Sequence, residues 1–101
     1  MIAEFSVIPV GAGVSTSTYV AKVIKLVDES GLPYKLNPMG TVVEGEWAQV
    51  MDLIERCHNL IYADVERVLT SITIDDRRGK TDRINQKVAS VEKIIGHPVI
   101  K

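Results

Sequence analysis

An amide, Asn37, and a carboxylate, Glu44, flank the run Pro38-Met39-Gly40-Thr41-Val42-Val43, which follows the short β-like segment Tyr34-Lys35-Leu36. Asn-Pro-Met-Gly is turn chemistry: Pro38 presets one dihedral, and Gly40 is expected to accept a positive φ. Thr41-Val42-Val43 then reads as a returning strand, with Glu44 near its end, where a carboxylate can be aimed rather than merely solvated. On one sheet face the two groups can read a flat heterocycle with adjacent donor and acceptor edges. A ring nitrogen of an aminopyrimidine pairs with a carboxyl group, while amide or hydroxyl groups satisfy the amino substituent. Ile8 and Val42 are expected to flank such a ring. The alternative for Glu44 is a place at the start of the following helix, where the macrodipole favours an acid.

The other chemistry-bearing residues point to structure rather than to reaction. Gly79-Lys80-Thr81 matches the end of a phosphate-binding loop, but the full pattern needs a glycine where Ile74 stands, so a turn and helix cap is expected. Gly11-Ala12-Gly13 lacks the third glycine of a dinucleotide fingerprint and reads as a strand-to-helix turn. Arg77, Arg78, Lys80 and Arg83 cluster against Asp75, Asp76 and Asp82. An anion site at a helix N-terminus, ion pairing between subunits and a solvated loop all fit that cluster. His58 and His97 have no carboxylate or cysteine at ligand spacing, so no metal is expected. Ser71 and Thr73 read as hydrogen-bonding strand residues. No set of base, nucleophile and oxyanion donors is legible, and the chain is not expected to be an enzyme.

The elements that must carry these groups follow from periodicity. Residues 2–10 alternate as a strand, with Ala3, Phe5 and Val7 on one face and Glu4, Ser6 and Ile8 on the other. The Ser/Thr cluster from Ser15 to Thr18 can cap a helix over residues 16–30, striped by Val20, Val23, Ile24 and Val27 and stopped by Gly31 and Pro33. Strands are expected over 34–38 and 41–45. A helix over 46–62 carries Trp47, Val50, Ile54, Cys57 and Ile61, with Cys57 as a small buried hydrophobe. A strand over 67–76 leads through a polar loop to a helix over 82–95, capped by Thr81 or Asp82 and striped by Ile84, Val88, Val91 and Ile95.

This order is the split βαβ, or ferredoxin-like, α+β pattern with an additional C-terminal helix, expected as one domain over residues 1–101. The core face of the sheet is expected to hold Ala3, Phe5, Val7, Leu36, Thr41, Val43, Ile72 and Ile74. The open face mixes Glu4, Ser6, Ile8, Asn37, Val42, Glu44, Leu69, Ser71, Thr73 and Asp75, a blend that suits a partner or a polar pocket better than bare solvent.

With 101 residues the chain can bury a modest core. A net charge of −1 gives no electrostatic footprint for nucleic acid or an anionic membrane. Its single cysteine excludes an internal disulfide and fits a reducing compartment. The N-terminus lacks the basic region of a signal peptide, and no apolar run reaches the ~18 residues of a membrane span, so a soluble cytoplasmic protein is expected.

The chain resembles the small thiamine-binding protein family, long regarded as uncharacterised. The resemblance runs over nearly the whole length. It rests on the opening strand with Ser6 and Pro9, the Ser/Thr-rich start of the first helix, and above all Tyr34, Leu36, Pro38-Met39-Gly40-Thr41 and Glu44-Gly45. Ile72, Ile74, Asp75 and Arg77, with Lys87, Ser90 and Val91, support it. It implies a ferredoxin-like subunit assembled as a homotetramer, a dimer of dimers, that binds thiamine or its hydroxymethylpyrimidine moiety without catalysis; no cofactor is expected beyond that ligand. The ligand site is expected on the open sheet face, around Ser6, Asn37, Met39, Thr41 and Glu44, with Thr18 approaching from the first helix. Thr41 belongs to the motif although alternation turns it toward the core. The rival expectation is a structural or regulatory homo-oligomeric module with no small-molecule ligand.

Overall fold

The computed structural model describes residues 1–11 and 16–101. Its elements are β1 (Ile2–Pro9), α1 (Thr16–Glu29), β2 (Tyr34–Asn37), β3 (Gly40–Glu44), α2 (Trp47–Tyr62), β4 (Val68–Asp75) and α3 (Arg83–Ile95). The four strands form one antiparallel sheet in the order β2-β3-β1-β4. The fold is ferredoxin-like, α+β, with an additional C-terminal helix. The Ser15 part of the expected α1 cap, and Ala12 and Gly13 of the expected turn, lie outside the described residues.

The apolar alternation of β1 decides which face is covered. Ala3 stands opposite Val43 and Ile74, and Phe5 opposite Thr41 and Ile72, so these residues share a face. On that face α1 and α2 pack. The core joins Ala3, Phe5 and Val43 to Val23 and Val27 of α1 and to Val50, Leu53, Ile54, Cys57 and Ile61 of α2. Leu53 completes the α2 stripe. Trp47 does not join it: it is the first residue of the helix and is 55% exposed. Leu36 and Ile72 face the core side but are half-exposed, because β2 and β4 are the two sheet edges.

The other face is covered only in part. α3 meets the sheet along β3, with Ile84 and Val88 half-buried and Val91 and Ile95 exposed. No α3 residue is fully buried. Leu69, Ser71 and Thr73 on β4 remain exposed. The helix ends on Gly96, whose φ of 83° closes the last turn through an N–H donated to Glu92 O.

Candidate functional site

Unequal strand lengths create the site. β4 pairs with β1 along its full length, from Ile2 to Pro9, but β3 pairs only from Ile2 to Phe5. β3 cannot extend further because the chain reverses at Pro38 and Met39, and Asn37 already pairs with Gly40. The far half of β1 is thus left without a neighbour on that side. Val20 and Val23 of α1 close the notch from the core side. It holds a cavity of about 260 Å³, slightly below the roughly 300–1,000 Å³ of drug-sized sites, and therefore sized for a small ring system.

Four of the expected residues line this cavity: Ser6, Asn37, Met39 and Thr41. Continuing the β1–β3 register sets Ser6 opposite Gly40, which pairs in turn with Asn37, so a hydroxyl and an amide share one row on the open face. Thr41 reaches the cavity from the core face, beside Phe5 and Leu36, because the notch passes through the plane of the sheet. Met39, at the tip of the hairpin, is 89% exposed. Thr18 is exposed on α1 and is not part of the lining. Among the described residues no charged side chain lines the cavity.

Glu44 is held elsewhere. Its backbone N–H donates to Pro33 O, and Gly45 N–H donates to Met1 O, which fixes the end of β3. Its carboxylate, only 8% exposed, accepts the backbone N–H of Arg83 at Oε2 (2.8 Å) and that of Ile84 at Oε1 (3.1 Å). These are orphan donors of the first turn of α3, where the helix dipole favours a negative charge. Glu44 therefore does serve a helix start, but that of α3 rather than of the adjacent α2. Asp82 occupies the N-cap position of α3, in left-handed backbone at φ 53°, and its side chain makes no cap hydrogen bond. It accepts instead from Asn85 Nδ2 at 2.8 Å.

Gly40 also differs from expectation. Its φ is not positive. A Cβ there would lie 3.2 Å from Glu4 Cγ and 3.3 Å from the Phe5 carbonyl oxygen. Space, not backbone freedom, favours glycine at this position.

The surrounding groups are engaged structurally. Tyr34 OH donates to Asp28 Oδ1 at 3.2 Å, tying β2 to α1, and that hydrogen bond raises the phenol above its ordinary pKa. His58 Nδ1 and Thr70 Oγ1 lie 2.6 Å apart, linking α2 to β4. Burial pushes the Cys57 thiol up to about 11, with Arg56 opposing. In the basic loop, Gly79 lies in a turn closed by Lys80 N–H donating to Arg77 O. The first amides of α3, which an anion would need, are already taken by Glu44.

Sequence reasoning missed Phe5, Val7, Leu36, Val20 and Val23 as cavity walls. All five were legible as core-facing. The signal that would have placed them at a site is the mismatch between a long first strand and a short hairpin.

A model of the thiamine-binding protein family matches residues 3–92. The UPF0045 protein MJ1052 of Methanocaldococcus jannaschii is 35% identical over 94 residues, covering 93% of this chain and 94% of that protein. A UPF0045 protein of Mycobacterium bovis is 39% identical over 99 residues, covering 97% of each. The crystal structure of MJ1052 superposes with a TM-score of 0.84 over 91% of this chain and 95% of that one. A Thermotoga maritima structure described as a candidate thiamine biosynthesis/salvage protein superposes with a TM-score of 0.76 over 89% of this chain and 96% of that one; at 22% identity it supports the fold alone. With the family model spanning most of its length and such relatives matching nearly all of it, the chain belongs to the thiamine-binding protein family.

Proposed function

We propose that this protein binds thiamine or its hydroxymethylpyrimidine moiety, without catalysis, in the cavity between the β2–β3 hairpin, the far half of β1 and α1. The carrying observation is the coincidence of two independent facts. The family match covers the chain, and the family-like hairpin run forms the wall of an uncharged, ring-sized cavity. Ser6 and Asn37 supply polar groups suited to ring nitrogens and an amino substituent, Thr41 supplies a hydroxyl, and Met39 is free to fold over the flat face of a ring. A neutral lining of this kind favours the pyrimidine over a phosphate group.

The protein acts as a homo-oligomer, a tetramer built as a dimer of dimers, in the cytoplasm, and its role is to hold or deliver the vitamin. The oligomer is supported by apolar surface that one subunit leaves uncovered: Val91, Ile94 and Ile95 on α3, with Ile94 86% exposed, and Ile8 and Leu69 on the open sheet face. Among the described residues no helix is long and apolar enough to cross a membrane.

Calorimetry with hydroxymethylpyrimidine and with thiamine, beside light scattering, tests both parts. Saturable heat with one ligand and a mass of four subunits are expected. A tetramer that takes up neither ligand would instead identify a purely structural or regulatory module.

A further inference from the structure

We propose that Glu4 is the carboxylate that reads the ligand ring, and that Gly40 is a glycine because Glu4 lies across it; this rests on the reading that the cavity takes a thiamine-type aminopyrimidine. The lining is uncharged, and Glu44 has committed both carboxylate oxygens to the start of α3. A carboxylate for the ring must therefore stand at the border of the cavity. Glu4 does so. It faces the open side of β1, two residues before Ser6, and is opposite Val42. From there its side chain leans diagonally along the ladder toward the hairpin. Its Cγ and Cδ come within 3.2 and 3.5 Å of the place a Cβ of residue 40 would occupy, and Gly40 is part of the cavity wall.

Glu4 is exposed, and among the described residues it makes neither a hydrogen bond nor an ion pair. Asn37 and Ser6 are likewise uncommitted among the described residues. The open face thus presents a carboxylate, a hydroxyl and an amide around one glycine, none of them engaged among the described residues. An aminopyrimidine carries an amino group next to a ring nitrogen. Glu4 accepts the amino N–H, and it accepts a second N–H when that ring nitrogen is protonated. Asn37 and Ser6 then meet the remaining ring edge. Against apolar walls such a charge-assisted pair is stronger than in open water.

The test is calorimetry of the intact protein with hydroxymethylpyrimidine and with thiamine, on wild type, Glu4→Gln, Gly40→Ala and Asp75→Asn, with the melting temperature of each. Glu4→Gln is expected to weaken binding by about tenfold to a hundredfold at an unchanged melting temperature. Gly40→Ala, which displaces the Glu4 side chain, weakens it several-fold. Asp75→Asn, an acid on the same sheet face paired with Lys87, leaves affinity unchanged. Glu4→Gln binding as tightly as wild type would remove Glu4 from this role and leave the aminopyrimidine reading intact. An equal loss at Asp75→Asn, or a loss at Glu4→Gln matched by a lower melting temperature, would overturn the assignment by making the effect general or structural. Wild type that binds neither compound would end the aminopyrimidine reading, and the assignment with it.

Discussion

Glu44 Oε2 lies 2.8 Å from the backbone nitrogen of Arg83, so a residue at the end of a strand caps a helix that begins 39 positions later. Replacing Glu44 by Gln keeps the shape but offers one acceptor and an N–H group to a site that presents two donors. The charged hydrogen bonds contribute roughly 1.5–3 kcal/mol in such settings. Glu44→Gln is expected to lower unfolding stability by about 1–3 kcal/mol, read from urea denaturation. An unchanged denaturation midpoint would mean that α3 is not held through this carboxylate.

Met39 separates binding from folding. Its side chain sits almost wholly in solvent on the hairpin tip, so Met39→Ala should shift stability by no more than about 0.5 kcal/mol. Loss of its apolar cover over a bound ring should still weaken thiamine or hydroxymethylpyrimidine binding by about threefold to tenfold. Equal affinities for variant and wild type would take Met39 out of the site.

The alternating strands, most of the α2 stripe, Val23 and Val27 of the α1 stripe, and the helix stops at Gly31 and Gly96 were legible, because each is written in local spacing and turn chemistry, whereas Val20 is exposed and Ile24 lies outside the core. That four of the expected residues would meet at one cavity was legible for the same reason: Ser6, Asn37, Met39 and Thr41 lie in one strand and one hairpin that register brings together. The capping partner of Glu44 was not legible. Its donors are backbone N–H groups, which every residue but proline carries, and their approach depends on how α3 docks. Gly40 was misread because turn statistics speak to φ, whereas what crowds this glycine is the Glu4 side chain together with the Phe5 carbonyl oxygen on the next strand. The Trp47 position was misread because periodicity alone does not tell the first helical residue, which overhangs the sheet, from its successors.

Cys57 should behave as a reporter of the core. It is fully buried between the sheet and α2, and burial holds its thiol near 11 against an ordinary 9.0. A thiol reagent at neutral pH should label it only at the rate at which the core opens, and labelling should become complete in denaturant. Cys57→Ser would place a hydroxyl among aliphatic groups and lower stability by about 1–3 kcal/mol. Rapid labelling of native protein would contradict the packing around α2.

Acid should loosen the α3 region. The Asp75 carboxyl is held below its ordinary 3.8, first by the hydrogen bond from Lys87 and then by its charge. Glu92 is held below its ordinary 4.5, first by Val99 N–H and then by Lys101. Both groups bind protons more readily unfolded than folded. Their stabilisation is therefore complete above the ordinary carboxylate range and is lost as pH falls through the folded values. Asp75 is exposed and Glu92 only half-buried, so the effect is small. Thermal unfolding should begin to move down below about pH 4, and by less in a Lys87→Met variant. A midpoint that rises on acidification would contradict the stabilising role of these two carboxylates.

The thin attachment of α3 divides the molecule into parts of unequal permanence. The helix has no fully buried residue and meets the sheet along β3, with a surface ion pair from Lys87 to Asp75 of β4, whereas α2 contributes five side chains to the core. Hydrogen–deuterium exchange should register two cooperative units rather than one. Amides of α3 would lose protection through a partial opening that leaves β1, α2 and the ligand cavity folded, and those of β1 and α2 would exchange only when the whole chain unfolds. A segment with exposed apolar side chains is then also one able to detach and re-dock without disturbing the cavity walls, since none of them belongs to α3. The exposed apolar side chains of α3 can accordingly change without altering any residue of the cavity wall.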